Sequence, residues 1–600
     1  MKLYCLSMAY TTFAFACFMA MLLILYYCPI FRNHQWKLLL AGSLVFYAFS
    51  GIDFLVFILS ASLVTYLGTL AIHGIQLHGE KERAALEGGK SAVKDGKRAS
   101  KGGRVQALES GIRDESGRGL ESGVVGRGSE GGADRASKRK EIKKMTQAHV
   151  KGALALCLLC LFGTLGVIKY GFFVTTSLNS AFEALKIGAR LKPLYLVLPL
   201  GISFYTFQAA GYLIDVARGK AVPERNFFRV LLFLSFFPQI VQGPISFFSD
   251  LSGQLFEKRP LAFRNIKFGS ELVLWGLFKK LVIADRMLPV VQNVSSEIGS
   301  WSGTASLFAL VFYAVQLYAD FSAGIDISRG CAQMLGINLR DNFKRPYFSR
   351  TLGEYWRRWH ITLGAWMKEY VFYPLAVSKG FLCLRKKLTL TAFGRTPMGK
   401  HFANAIPGCL ATIAVFLLIG IWHGADWKYV VFGLYNGLVL ALGTLTEPIW
   451  GWIAQKLPQG KKAVSRTFQL IRTWILILIG YVFDIVPSAA EGFKMIGRVI
   501  TDQRPLYFIS NEVMELFGRR VSDSQATLDY LVILISCGVL LIASLFQERL
   551  ELNGKNIREY LDEKPFHLQW ALLFIGSLFL MTYGMYGPSY DVQGFIYMNF

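Results

Sequence analysis

Apolar runs of the length that crosses a bilayer, about 20 residues, recur along nearly the whole chain, and this constrains the fold more than any single motif. In hydrocarbon a chain must satisfy its own backbone donors and acceptors, so such runs fold as helices. Residues 3–30 form the first run and contain no obvious small-residue cleavage site, which predicts an uncleaved first helix. Residues 38–72 are interrupted by Ser50, Gly51 and Asp53, so two helices, or one helix and a re-entrant hairpin, are expected there. Further runs lie at 152–175, 195–216, 227–241, 271–291, 305–317, 405–422, 428–445, 473–486, 528–545 and 568–585. Several are short for a straight span, which predicts an all-α polytopic membrane protein with about ten to twelve spans plus re-entrant segments.

One segment breaks the pattern. Residues 78–151 are rich in Gly, Ser, Lys, Arg and Glu and nearly free of aromatics, the composition of a loop that stays disordered because it has too little apolar surface to bury. Its basic end, Lys138, Arg139, Lys140, Lys143 and Lys144, places it on the cytoplasmic side. The expected organisation is one membrane-embedded domain over 1–600 with this loop inserted at 78–151.

The whole chain carries 65 Lys and Arg against 40 Asp and Glu, a formal charge of +25, yet no nucleic-acid recognition motif accompanies it. Surplus cations in cytoplasmic loops, facing anionic lipid headgroups, account for the excess without nucleic acid. Cys157 and Cys160 form a C-x-x-C inside an apolar run with no second Cys or His pair nearby, so no metal site is expected. The marks of ATP-driven transport, dinucleotide redox chemistry, zinc proteolysis and nucleophile-elbow hydrolysis are also missing. Histidine chemistry in a membrane, or a transport path, remains.

Six of the eight histidines lie in polar loops or near segment ends. His423 instead follows the apolar run ending at Trp422, in Gly420-Ile421-Trp422-His423-Gly424-Ala425-Asp426-Trp427. An ionisable group at membrane depth usually faces a cavity or pathway; the alternative is a helix-end histidine reaching the headgroups beside Trp422 and Trp427. His360 lies after Thr351 and Glu354, a capping-box pair that predicts a helix start. Helical spacing would place Trp356, Trp359, His360, Leu363 and Trp366 or Met367 on one face, with Arg358 and Thr362 turned away. A purely interfacial helix would read the same way, and residues 338–400 as a whole are amphipathic, aromatic and basic, as expected of a layer at or dipping into the membrane face. Asp320 and Asp326, with Ser322 between them, follow an apolar stretch and must face protein or water. A site and a structural ion-pair network explain them equally well.

At these residues the sequence resembles the membrane-bound O-acyltransferase family, in its bacterial alginate O-acetyltransferase-like branch. The motifs stand in family order: Leu198 to Gln208, Phe237 to Ile245, the Asp320-Phe321-Ser322 block, Asn342 to Tyr347, Tyr355 to Leu363, the Trp422-His423-Gly424-Ala425 block and the terminal Tyr586-Gly587-Pro588 to Phe600. Two departures stand out: the long basic loop, and Phe483-Asp484-Ile485 where the resemblance suggests an aromatic-Arg-Ala stretch.

The resemblance implies a helical bundle around a central funnel or tunnel in the cytoplasmic membrane of a bacterium. It implies His423 at the narrow centre as general base, and an acetyl group passed from a cytoplasmic thioester, acetyl-CoA, to an extracellular or cell-wall polysaccharide. His360 is the second catalytic candidate, either binding the carbonyl oxygen or orienting His423. Asp320, Ser322, Asn342, Trp356, Arg357 and Trp422 are expected to support the pocket. Lys344, Arg345, Arg358 and also Arg357 are candidates for the donor phosphates, since guanidinium groups bind phosphate bidentately, although such residues also meet lipid headgroups. An extracytoplasmic partner with a serine-hydrolase-like fold would pass the acetyl group on. The alternatives are D-alanyl transfer to teichoic acid and, in a different class, a proton-coupled transporter or flippase with His423, Asp320 and Asp326 as relay.

Overall fold

The structure, a computed structural model, describes residues 8–86, 129–456, 462–517, 524–586 and 594–595. Helices dominate, and the β-type pairing among the described residues is a single bridge between Phe343 and Trp359. Eight helices among them are long and apolar enough to cross a membrane, fewer than the ten to twelve spans expected. The difference lies in the first run, whose helix Phe13–Tyr27 has only 15 residues, in the 14-residue helix Gln35–Ala48, and in three further apolar segments. Residues 195–216 become helical only at Ile202–Ala217, after a left-handed Gly201. Residues 227–241 divide into Phe227–Ser235 and a short turn at Phe237–Ile240, with Pro238 at its start. Residues 271–291 run through three pieces, Phe263–Phe278, a π-helical turn at Lys279–Ala284, and Asp285–Ser296. All three lie largely buried in the bundle, where protein satisfies backbone that lipid could not.

The expected break after residue 48 is present: Gln35–Ala48 and Leu55–Ala85 are separate helices, and Gly51 between them has φ +135°. Of the loop expected at 78–151, residues 78–85 and 129–151 are helical, in Leu55–Ala85 and Ser129–Ala184. Polar, charged turns can prolong a helix whose apolar part is anchored in the bundle. Residues 87–128, like most of the terminal motif after Tyr586, lie outside the described residues.

Gly303–Met334 forms the axis of the bundle, with 78% of its apolar window buried. Packed on it are Phe263–Phe278, Asp285–Ser296, Lys462–Ile485 and Ala489–Thr501. Asp320 and Asp326 therefore stand inside a 32-residue helix rather than beyond the end of an apolar stretch.

Pro397–His423 and Trp427–Leu445 make a tight hairpin. A Cβ on Gly420 would sit 2.2 Å from the Tyr429 carbonyl oxygen, and one on Gly433 2.5 Å from that of Phe416. Close backbone approach through small residues is the usual packing device between membrane helices. Gly433→Leu is expected to cost at least the ~1–3 kcal/mol typical of overpacking, because the obstacle is backbone. A lowered unfolding midpoint of the purified protein in detergent would show it, and an unchanged midpoint would contradict this packing.

Candidate active site

His423 is the last residue of its helix, which the extended Gly424 ends. Asp426 then caps the next helix by accepting from the Lys428 N–H at 2.9 Å. Trp422 and His423 are both 6% exposed, whereas Trp427 is 61% exposed, so the buried imidazole does not match the headgroup-reaching alternative. Around the imidazole are the rings of Trp422 at 5.1 Å, Phe432 at 5.6 Å and Tyr429 at 6.5 Å between centroids.

His360 arrives by another route. Thr351 caps Leu352–Arg358 as expected, accepting from the Glu354 N–H. The Glu354 carboxylate, however, accepts from the Arg350 N–H instead of that of Thr351. The helix does not continue through the histidine. Trp359 is extended, His360 is left-handed at φ 46°, and a second helix starts at Ile361–Met367. This corrects the single face predicted from helical spacing. The cause is pairing with the preceding segment: the Lys344 N–H donates to the Arg358 carbonyl at 2.9 Å and the Ile361 N–H to that of Asn342 at 3.0 Å. A left-handed histidine costs about 1–3 kcal/mol and persists only where its surroundings impose it.

Thr362, expected to face outward, is buried and links the site to the core. Its hydroxyl accepts from the Ile245 N–H at 3.1 Å and donates to Asn342 Oδ1 at 2.9 Å. Its own N–H also donates to Asn342 Oδ1, at 3.0 Å, and His360 Nδ1 lies 3.3 Å from the same oxygen. Because the Thr362 N–H can only donate, it fixes the amide with oxygen toward His360. His360 packs edge-on against Phe321 at 4.9 Å and faces Trp422 at 5.9 Å. The two histidines thus flank one indole. In the region expected at the membrane face, Asn342, Tyr355, Trp359, His360, Thr362 and Met367 are buried while Arg340, Lys344, Arg350 and Arg357 are exposed, and Lys379–Leu390 has no buried residue.

Phe321 is held from both sides. Lys280 Nζ donates to Asp320 at 2.6 Å and pairs with Asp285 at 2.9 Å. Lys279 Nζ donates to the Ser322 hydroxyl at 2.6 Å and to Asp326 at 2.7 Å. The π-helical turn directs both consecutive lysines at the same neighbouring helix. Sequence reasoning missed them by reading 271–291 as an apolar run; the available signal was that intramembrane carboxylates require nearby cations. Asp320 and Ser322 accordingly belong to an ion-pair network behind the aromatic wall.

The remaining candidates scatter. Trp356 donates through Nε1 to Asn436 Oδ1 at 3.1 Å, bracing the His360 segment against the Trp427–Leu445 helix. Arg357 and Lys344 are exposed. Arg358 pairs with Glu354 at 2.6 Å, and Arg345 makes a two-bond pair with Glu551 at 2.9 and 2.5 Å. Two guanidinium groups assigned to donor phosphates therefore hold carboxylates. Asp484, in the departure noted above, lies where Lys428 Nζ reaches the Asp484 and Val486 carbonyls. A further cation absent from the sequence reading, Lys169, reaches the Trp422 carbonyl.

Residues 221–393 match the profile of the membrane-bound O-acyltransferase family. The chain is 32% identical over 342 residues to a probable alginate O-acetylase of Pseudomonas syringae pv. tomato, covering 56% of this chain and 57% of that protein. It is 29% identical over 402 residues to a peptidoglycan O-acetyltransferase of Helicobacter pylori, 62% of this chain and 69% of that one. To a teichoic acid D-alanyltransferase of Streptococcus thermophilus it is 25% identical over 311 residues, 48% of this chain and 69% of that one. The matches thus span little more than half the length of the alginate relative.

Proposed function

We propose, for a chain that belongs to the membrane-bound O-acyltransferase family, that it passes an acetyl group from acetyl-CoA on the cytoplasmic side across the membrane for O-acetylation of an extracellular or cell-wall polysaccharide, with His423 as general base. The observation that carries this reading is the convergence of His423 and His360, from separate segments, on one buried indole, Trp422. Neutral His423 takes the proton of the acceptor hydroxyl as its oxygen attacks the thioester carbonyl. The tetrahedral intermediate expels the thiolate, and the imidazolium returns the proton to that sulfur, leaving an ester and a free thiol.

Of the two roles expected of His360, the geometry favours the orienting one. Asn342 Oδ1 calls for an N–H at Nδ1, so the neutral ring presents Nε2 as an acceptor. That suits orientation of His423 or receipt of a proton, and disfavours donation to the carbonyl oxygen. Of the four cations expected to meet donor phosphates, Lys344 and Arg357 are exposed, whereas Arg345 and Arg358 would first have to leave a carboxylate. The setting is the cytoplasmic membrane of a bacterium, with an extracytoplasmic serine-hydrolase-like transferase receiving the acetyl group. The proton-relay alternative loses support because Asp320 and Asp326 are held by Lys280 and Lys279.

The full chain in proteoliposomes, given labelled acetyl-CoA and a host envelope extract, is expected to release free thiol and leave base-labile label on polysaccharide. An aminoacyl ester formed from a D-alanyl thioester instead would favour the D-alanyl alternative. Dissipation of a solute or proton gradient without any thioester would favour a transporter.

A further inference from the structure

We infer that Lys169 is a positioning residue for the transfer step, holding the last turn of the Pro397–His423 helix so that His423 is fixed against the reacting atoms; this rests on the histidine reading above. A helix leaves its last four carbonyls without partners inside the helix, and in a membrane bundle those groups are costly to leave unmade. Two consecutive residues of the Ser129–Ala184 helix meet them. Tyr170 donates its hydroxyl to the Ile421 carbonyl at 2.7 Å, and Lys169 donates to the Trp422 carbonyl.

Lys169 lies within an apolar stretch, 152–175, where a lysine costs about 2.5–3.5 kcal/mol even on the lenient insertion scale. Its ammonium stands 5.6 Å from the centroid of the Trp422 indole, the ring that both histidines contact. The negative end of the helix dipole attracts a cation there. The lysine is therefore tied at once to the peptide next to His423 and to the wall of the site. Tyr170 supplies a second, neutral tether, so losing the lysine should let the turn shift without releasing it. A shift of about 1 Å in a catalytic group can cost on the order of 100-fold in rate.

The test compares Lys169→Met, Lys169→Arg, Tyr170→Phe and His423→Ala in proteoliposomes with acetyl-CoA as donor and host envelope polysaccharide as acceptor. Lys169→Met is expected to lower kcat about 100-fold with little change in the KM for acetyl-CoA and normal membrane abundance. Lys169→Arg, which keeps a cationic donor, should recover most of the loss, and Tyr170→Phe should lose much less. Should Lys169→Met fail to accumulate, Lys169→Gln is measured against the same criteria. Unchanged kcat, a change confined to KM, or no recovery in Lys169→Arg would overturn the inference. An active Lys169→Met beside an inactive His423→Ala sinks this inference alone, whereas an active His423→Ala sinks the histidine reading and this inference with it.

Discussion

Replacing His423 by alanine is expected to strip base-labile acetate from envelope and secreted polysaccharide while the protein remains in the membrane at its normal level. A general base of this kind is worth about 100- to 10,000-fold in rate, enough to remove acetate from a growing polymer. The substitution is mild structurally. His423 is the final residue of its helix, and the turn that follows is set by Gly424 and the Asp426 cap rather than by the imidazole. Fold and chemistry can therefore be separated by measuring acetate and membrane abundance on the same cells. Acetate that persists at normal abundance would remove the catalytic role of His423 and bring the transporter reading forward.

Lys280→Met is expected to act in the opposite way, by lowering the amount and stability of folded protein. Lys280 is 2% exposed and stands between Asp285 and Asp320 at 2.9 and 2.6 Å. Removing the cation leaves two carboxylates facing one another away from water, and breaking a buried pair from one side costs about 3–5 kcal/mol. That is a large part of the ~5–15 kcal/mol by which typical domains are stable. Membrane abundance and the unfolding midpoint in detergent should both fall, and a Lys280→Met/Asp320→Asn double variant should recover part of the loss. If Lys280→Met accumulates normally and melts like the wild type, the network is not structural. A proton relay through Asp320 would instead predict lost transport with the fold intact.

Much of the architecture was legible because its causes are local. Ser50 and Gly51 break the apolar stretch at 38–72, Thr351 caps its helix, and His423 ends an apolar run. His360 was found for partly the wrong reason. Its surroundings are aromatic, as expected, yet the continuous helix was overridden by pairing between residues 342–344 and 358–361. No window on residues 351–363 contains that information, because half of the pairing lies before it. The span count erred for a related reason. Hydropathy registers burial in protein and burial in lipid alike, so the short buried helices around Lys279–Ala284 and Phe237–Ile240 read as parts of spans.

By itself the sequence determined that this chain lives in a membrane as helices, that His423 and His360 are its chemical candidates, and that Asp320 and Asp326 need partners. Only the tertiary structure decided what those partners are. Lys280 meets Asp320 from 40 residues away and Lys169 meets the Trp422 carbonyl from 253 residues away. Burial makes a partner obligatory for each charged group, and packing, which composition and periodicity do not specify, selects which one.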